Sequence, residues 1–282
     1  MTNFNFIYKG TVVLFFLMLV NYVASAQAKP QNNYIVLLDL SDRLLTVGQS
    51  ARDKALIQEV FKRFETDVRQ KLIIHSKDCF KVVIGPQIGG VQTDRFENLL
   101  TINMGEIQLA NKRSQLDDFK AKLPARLDNL YSAALKGKSK SSQFKGTDLW
   151  KYFNDFLSTD ISAKHQNKVI VISDGYFDFE SNQPALVQGN RSTDTRMLPR
   201  LRKDKNWEQT LQSANEGMLK VNKVFINTSV CLLELKPKYA NLNEQDILIA
   251  IWKKWTKELA LVKFDFAPHA SLAIAYKKIK TF

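Results

Sequence analysis

Three short segments of the chain bring small oxygen-bearing side chains together: Asp39-Leu40-Ser41-Asp42-Arg43, Gly146-Thr147-Asp148 and Ser173-Asp174-Gly175. Carboxylates and hydroxyls are hard oxygen donors, suited to Mg²⁺ or a similar divalent cation. Two of the segments directly follow apolar runs, Tyr34–Asp39 and Lys168–Ser173. Such runs read as strands buried on both faces, as in parallel sheets. In an open α/β sheet, ligands bind beyond the carboxyl ends of the strands, which is where these acids fall.

The elements that must position them alternate strand and helix. Residues 50–72 repeat apolar positions at helical spacing (Leu56, Val60, Phe61, Phe64, Val68). Phe80–Ile84 reads as a second strand, and a weaker one is expected near Leu99–Met104. Gln115–Leu135 is amphipathic, and Pro124 within it should start a new helix or kink this one. Gly137–Gly146 reads as an exposed loop and Thr147–Leu157 as a short helix. Helices are expected again near Trp207–Lys220 and Glu244–Leu259, strands at Val230–Leu235 and Leu261–Phe266, and a helical tail from Ala270. The fold class is α/β: a doubly wound, mostly parallel sheet with helices on both faces.

With this order, the three segments resemble the metal-ion-dependent adhesion site of von Willebrand factor A (vWA) domains. That family places Asp-x-Ser-x-Ser after its first strand, a threonine in a later loop and an aspartate after its fourth strand. The resemblance covers roughly Tyr34–Phe266 and implies a metal-ligand set of Asp39, Ser41, Thr147 and Asp174. Arg43 departs from it, standing where the family has its second serine. A guanidinium cannot ligate a cation, and its charge disfavours a nearby divalent ion. Arg43 could instead pair with Asp39 or Asp174 and take the ion's electrostatic role, leaving a metal-free polar cluster. Asp42 or Asp148 could supply a compensating carboxylate.

The resemblance implies a protein–protein binding module, with Mg²⁺ or another divalent cation as cofactor and another protein as partner at the strand carboxyl-end face. A metal-assisted hydrolase is the alternative, with Asp42, Asp148 or Asp178 as general base; so is a metal-free structural envelope component. Nothing else in the chain points to catalysis. His75, His165 and His269 lack ligand spacing, and neither a nucleophile elbow nor a Walker loop is present.

Residues 176–206 lack periodicity and are expected to form a long functional loop. It carries aromatics (Tyr176, Phe177, Phe179), acids (Asp178, Glu180) and then arginines (Arg191, Arg196, Arg200, Arg202). Aromatics and arginine are enriched at interface centres, which makes Tyr176, Phe177, Phe179, Arg191 and Arg196 candidate partner contacts. Trp252 and Trp255 invite a carbohydrate-binding reading, but they lie on an amphipathic segment, so at least one is expected in the core.

The chain has 282 residues and a formal net charge of +13. Basic residues are spread out and interrupted by acids, so the charge favours acidic partners without organising a nucleic-acid site. Residues 1–26 read as a signal peptide: Lys9, an apolar run through Val20, then Ala24-Ser25-Ala26. The run is too short to span a bilayer, so the protein is expected to be exported, periplasmic or secreted and of bacterial type, and not membrane-spanning after cleavage. Residues 27–282 then form a single vWA-like domain with a C-terminal helical tail. The resemblance separates the strands carrying Cys79 and Cys231, so two free, buried thiols are expected.

Overall fold

The computed structural model describes residues 29–88, 91, 93–179, 185–239 and 241–282; the expected leader and Glu180 lie outside them. Residues 31–282 form one compact unit. Its elements run β1 (Asn32–Leu38), α1 (Gln49–Gln70), β2 (Cys79–Ile84), α2 (Thr93–Leu99), β3 (Thr101–Asn103) and α3 (Lys112–Leu135). Next comes a helical run, α4, built of Leu149–Lys151, a wider turn at Tyr152–Phe156 and Leu157–Asp160. It leads into β4 (Gln166–Ile172), followed by β5 (Val187–Gln188), β6 (Arg191–Ser192), α5 (Leu198–Leu201), α6 (Trp207–Ser213) and β7 (Gly217–Met218). The chain closes with β8 (Thr228–Leu235), α7 (Glu244–Glu258), β9 (Lys263–Pro268) and α8 (Leu272–Thr281).

Six strands form the central sheet in the order β3-β2-β1-β4-β8-β9. All neighbours are parallel except β3, which runs antiparallel to β2 at the edge. Side chains alternate between the faces of each strand. Tyr34, Val36 and Leu38 of β1, with Ile170 and Ile172 of β4, pack under α1, α3 and α8. Ile35, Leu37, Val169 and Val171 face the opposite layer, against α4, α6 and α7. Burial on both sides is why these strands read as unbroken apolar runs.

The chain winds from β1 towards β2 and β3, then returns to place β4 on the other side of β1. That reversal makes the carboxyl ends of β1 and β4 the topological switch point, where a crevice opens in doubly wound sheets. Asp39 follows β1 there, its N–H donating to the Ile172 carbonyl (3.1 Å), and Asp174 follows β4.

Of the two outcomes expected at Pro124, a new helix does not occur: α3 runs through it as one 24-residue element. A second expectation is corrected. Residues 176–206 are not a structureless excursion. The chain turns inward at once, then builds a small sheet, β5-β6-β7, and the short helix α5. Tyr176 and Phe177 are buried beneath α7, with the Phe177 ring 4.7 Å from Trp252 and 5.1 Å from Trp255. Both tryptophans are core, where at least one was expected to be.

The cysteines are free; Cys231 is buried and Cys79 half-buried. They lie on β8 and β2, separated in the sheet by β1 and β4.

Candidate functional site

Asp39 is locked in place. Its Oδ1 accepts from the Ser41 N–H (3.0 Å) and its Oδ2 from the Ser173 hydroxyl (2.8 Å). Ser173 comes from β4's end, so this bond ties the two strand ends across the switch point. Asp174 is also buried; its Oδ1 accepts from the Tyr176 N–H (3.3 Å). Burial and then the Asp39 charge hold the Asp174 carboxyl above the usual carboxylate range, opposed by Lys238 and Arg43.

Arg43 does not point into the crevice as a free charge. Its Nε donates to the Asp39 carbonyl (2.8 Å) and Nη2 to the Ile172 carbonyl (3.2 Å). The fork then closes on Asp53 of α1, at 3.2 and 2.7 Å. Asp53 is fully buried and also accepts from Gln49 (2.9 Å) and the Tyr131 hydroxyl (3.1 Å). Burial works against the guanidinium charge, but Asp53 and Asp39 more than offset it, and its pKa is raised. Burial likewise raises Asp53, against Arg43. A bidentate, desolvated pair of this kind is the arrangement in which arginine outperforms lysine.

The other side of the crevice comes from the end of β8. A bulge between Leu233 and Leu235 places Glu234 in the left-handed region (φ 72°). Bulges redirect a side chain out of strict alternation. Here Glu234 turns to accept from Arg52 (3.0 and 2.9 Å), Gln49 (3.2 Å) and His269 (2.6 Å). The chain beyond it is strapped over β4's end. Lys236 N–H donates to the Asp174 carbonyl (3.1 Å), and Lys238 N–H to the Tyr176 hydroxyl (2.8 Å). These straps place the Lys238 ammonium 3.7 Å from Asp174 Oδ2 and 4.6 Å from the Tyr176 ring centre. Burial works against that charge, but Asp174, Asp178, Asp42 and Asp39 raise its pKa.

Between these walls lies a cleft of about 410 Å³, lined by Asp42, Arg43, Gln49, Asp174, Glu234, Lys236, Lys238 and Tyr239, among others. Tyr239 is 57% exposed at its rim, with the Arg202 guanidinium 4.1 Å above its ring.

The remaining expected residues scatter. Thr147 is buried at the end of β2. Its hydroxyl accepts from Gln87 (3.0 Å), and among the described residues it makes no hydrogen bond to Asp39 or Asp174. Its methyl sits where a Cβ on Gly85 would fall, 2.2 Å away, so Gly85 is what lets the loop approach. Asp148 caps α4, accepting from the Lys151 N–H (2.8 Å), and lines a separate cavity of about 120 Å³. Burial pushes it up to about 6. Asp42 takes the Ser141 hydroxyl, and Asp178 the Thr195 hydroxyl.

The candidate partner contacts need correction. Tyr176 and Phe177 belong to the core, because the chain turns under α7 directly after Gly175. Arg191 is buried in a bidentate pair with Glu258, both bonds 2.6 Å, and ties β6 to α7. Phe179 is half-buried, and Arg196 is exposed but folded back on Asp194 (2.8 Å). None of the five lines the cleft, whereas Lys236, Lys238 and Tyr239 do.

With Lys238 in place a divalent ion does not suit this arrangement. Each Asp39 oxygen accepts one internal donor, and the Arg43 Nε lies 3.7 Å from one of them. Asp174 faces an ammonium, and the Thr147 hydroxyl is engaged one strand away. Among the described residues no group of three or more histidine, cysteine or carboxylate side chains could hold a metal ion.

Fold and cleft together define a doubly wound α/β protein with a charged crevice at its switch point. No family model and no curated protein matches the chain. Among solved structures it is similar to proximal thread matrix protein 1 from the mussel byssus, at 13% identity and a TM-score of 0.37. That match covers 90% of this chain and 48% of the mussel protein, so the chain spans about half its length. A likeness at that level carries no argument about function.

Proposed function

We propose that the chain is an exported binding module of the vWA type, with the strand-end cleft as its recognition face for another protein. The observation that supports this most is the convergence of Asp39, Arg43, Asp174 and Lys238 at the switch point, beside a cleft rimmed by exposed Tyr239, whose ring packs against the half-buried Arg202. Aromatic side chains and arginine are enriched at interface centres. The bases a hydrolase would need are otherwise employed: Asp148 caps a helix, and Asp42 and Asp178 hold hydroxyls of neighbouring loops. Export rests on the leader-like residues 1–26. Among the described residues no helix is long and apolar enough to cross a membrane.

The test is site-directed photo-crosslinking in the native host. A crosslinker goes at Tyr239 on the cleft rim or at exposed Val262, beside the amino-terminal end of β9. The expected result is one discrete protein adduct from position 239 and none from position 262. Equal adducts from both, or adducts from 262 alone, would remove the cleft as the recognition face.

A further inference from the structure

We propose that the Lys238 ammonium is the resident cation of the strand-end cleft, taking the place a divalent ion would hold against Asp39 and Asp174, so that this cleft works without metal. Four observations carry it. First, Asp39 and Asp174 are both buried at the switch point, and two adjacent carboxylates there need a countercharge. Second, Arg43 supplies only part of that countercharge, because its fork is committed to Asp53 and only its Nε comes within 3.7 Å of Asp39. Third, Lys238 is held at the site by its backbone. The Lys236 and Lys238 N–H bonds to the Asp174 carbonyl and the Tyr176 hydroxyl fix the chain from which the ammonium reaches Asp174. Fourth, the Tyr176 ring lies beneath the ammonium at 4.6 Å, an arrangement that favours a cation.

The surroundings agree in sign. Asp42 and Asp178 also stand close enough to stabilise the Lys238 charge, so the cleft offers it negative groups from the two loops that follow β1 and β4. Lysine suits this role where arginine does not, since its ammonium is a compact point charge on a flexible stem. At 36% exposure the side chain is open to the cleft, so it is also the charge an incoming partner meets.

The inference rests on reading the cleft as a recognition site only for its consequence; its test uses no partner. Manganese binding to the full mature chain is measured by the loss of the free Mn²⁺ resonance signal in wild type, Lys238→Met and Lys238→Gln. Circular dichroism checks folding, and the glutamine variant serves if the methionine one does not fold. Wild type should bind Mn²⁺ only weakly, and removing a unit positive charge within 4 Å of Asp174 should tighten binding about tenfold or more. A single wild-type site that the substitutions leave unchanged would overturn the proposal. So would folded variants that bind no Mn²⁺, because the carboxylates would then not form a cation position for Lys238 to fill. Neither result bears on the crosslinking at Tyr239, so the two readings fail separately.

Discussion

Arg43→Ser restores the residue that the family resemblance leads one to expect, and it should damage the protein. Arg43 is 8% exposed and Asp53 is fully buried. Removing the guanidinium strips Asp53 of two charge-assisted bonds and leaves the carbonyls of Asp39 and Ile172 without that donor. Breaking a buried pair from one side costs about 3–5 kcal/mol, because the remaining charge is uncompensated. For a domain of this size that is a fall of roughly 6–20 °C in Tm. The bonds from Gln49 and Tyr131 keep the loss nearer the lower figure. The pH dependence has a definite sign. Burial already holds the Asp53 pKa above its ordinary value, and losing Arg43 raises it further. A carboxyl with a raised folded pKa favours folding below its unfolded pKa and loses that contribution as pH rises through the folded value. The gap between variant and wild type should therefore shrink as pH is lowered from neutrality towards the ordinary carboxylate range. Asp53→Asn in the same chain should recover stability at neutral pH by removing the stranded charge. The assay is urea denaturation followed by circular dichroism at several pH values. A loss below about 1 kcal/mol would refute the reasoning, since that is the worth of a surface pair; so would a gap that does not change with pH.

Phe177→Ala should destabilise the fold by about 3–5 kcal/mol, the cost of emptying a large aromatic site, and a change under 1 kcal/mol in the same denaturation assay would restore it as a surface contact. Cys231 should resist maleimide in the native state and react on unfolding, because burial removes access and pushes its thiol up to about 12. Non-reducing intact mass should show no loss of two hydrogens; a lighter chain would require the β2 and β8 strands to be neighbours. Intact mass of the exported protein should start at Gln27 or Lys29, and recovery of a chain still beginning at Met1 would remove the leader reading.

The sheet was legible because the parallel strands are buried on both faces. Tyr34–Leu38 and Lys168–Ile172 carry no polar interruption that could be mistaken for a turn. Asp39 and Asp174 were legible because an acid at the end of such a run has few structural reasons to be there. The countercharges were not. Asp53 sits on the apolar stripe of α1 beside Leu56 and Ile57, and Glu234 interrupts the apolar run of β8. An acid on a buried face signals a partner, but neither position says that the partner is Arg43 or Arg52. Lys238 gave no signal at all, since its role depends on two backbone bonds to residues of another loop. Residues 176–206 were misread for the opposite reason. Lack of periodicity does not mean exposure here, because Tyr176 and Phe177 enter the core within five residues of the strand end.

The same geometry separates the residues that hold the crevice from those that can act in it. Asp39 spends both carboxylate oxygens and its carbonyl on internal donors, and Arg43 spends its fork on Asp53. Changing either reads out first as stability. Lys238 and Tyr239 lie on a short connection beyond the bulge, half-open to the cleft. The Tyr239 side chain can change partners without exposing a buried charge, whereas Lys238 answers the buried Asp174. Selection for a new partner can therefore work on Tyr239 while the floor stays fixed. Loss of binding with an unchanged melting temperature is the signature to seek at Tyr239, and not at Lys238, Asp39 or Arg43.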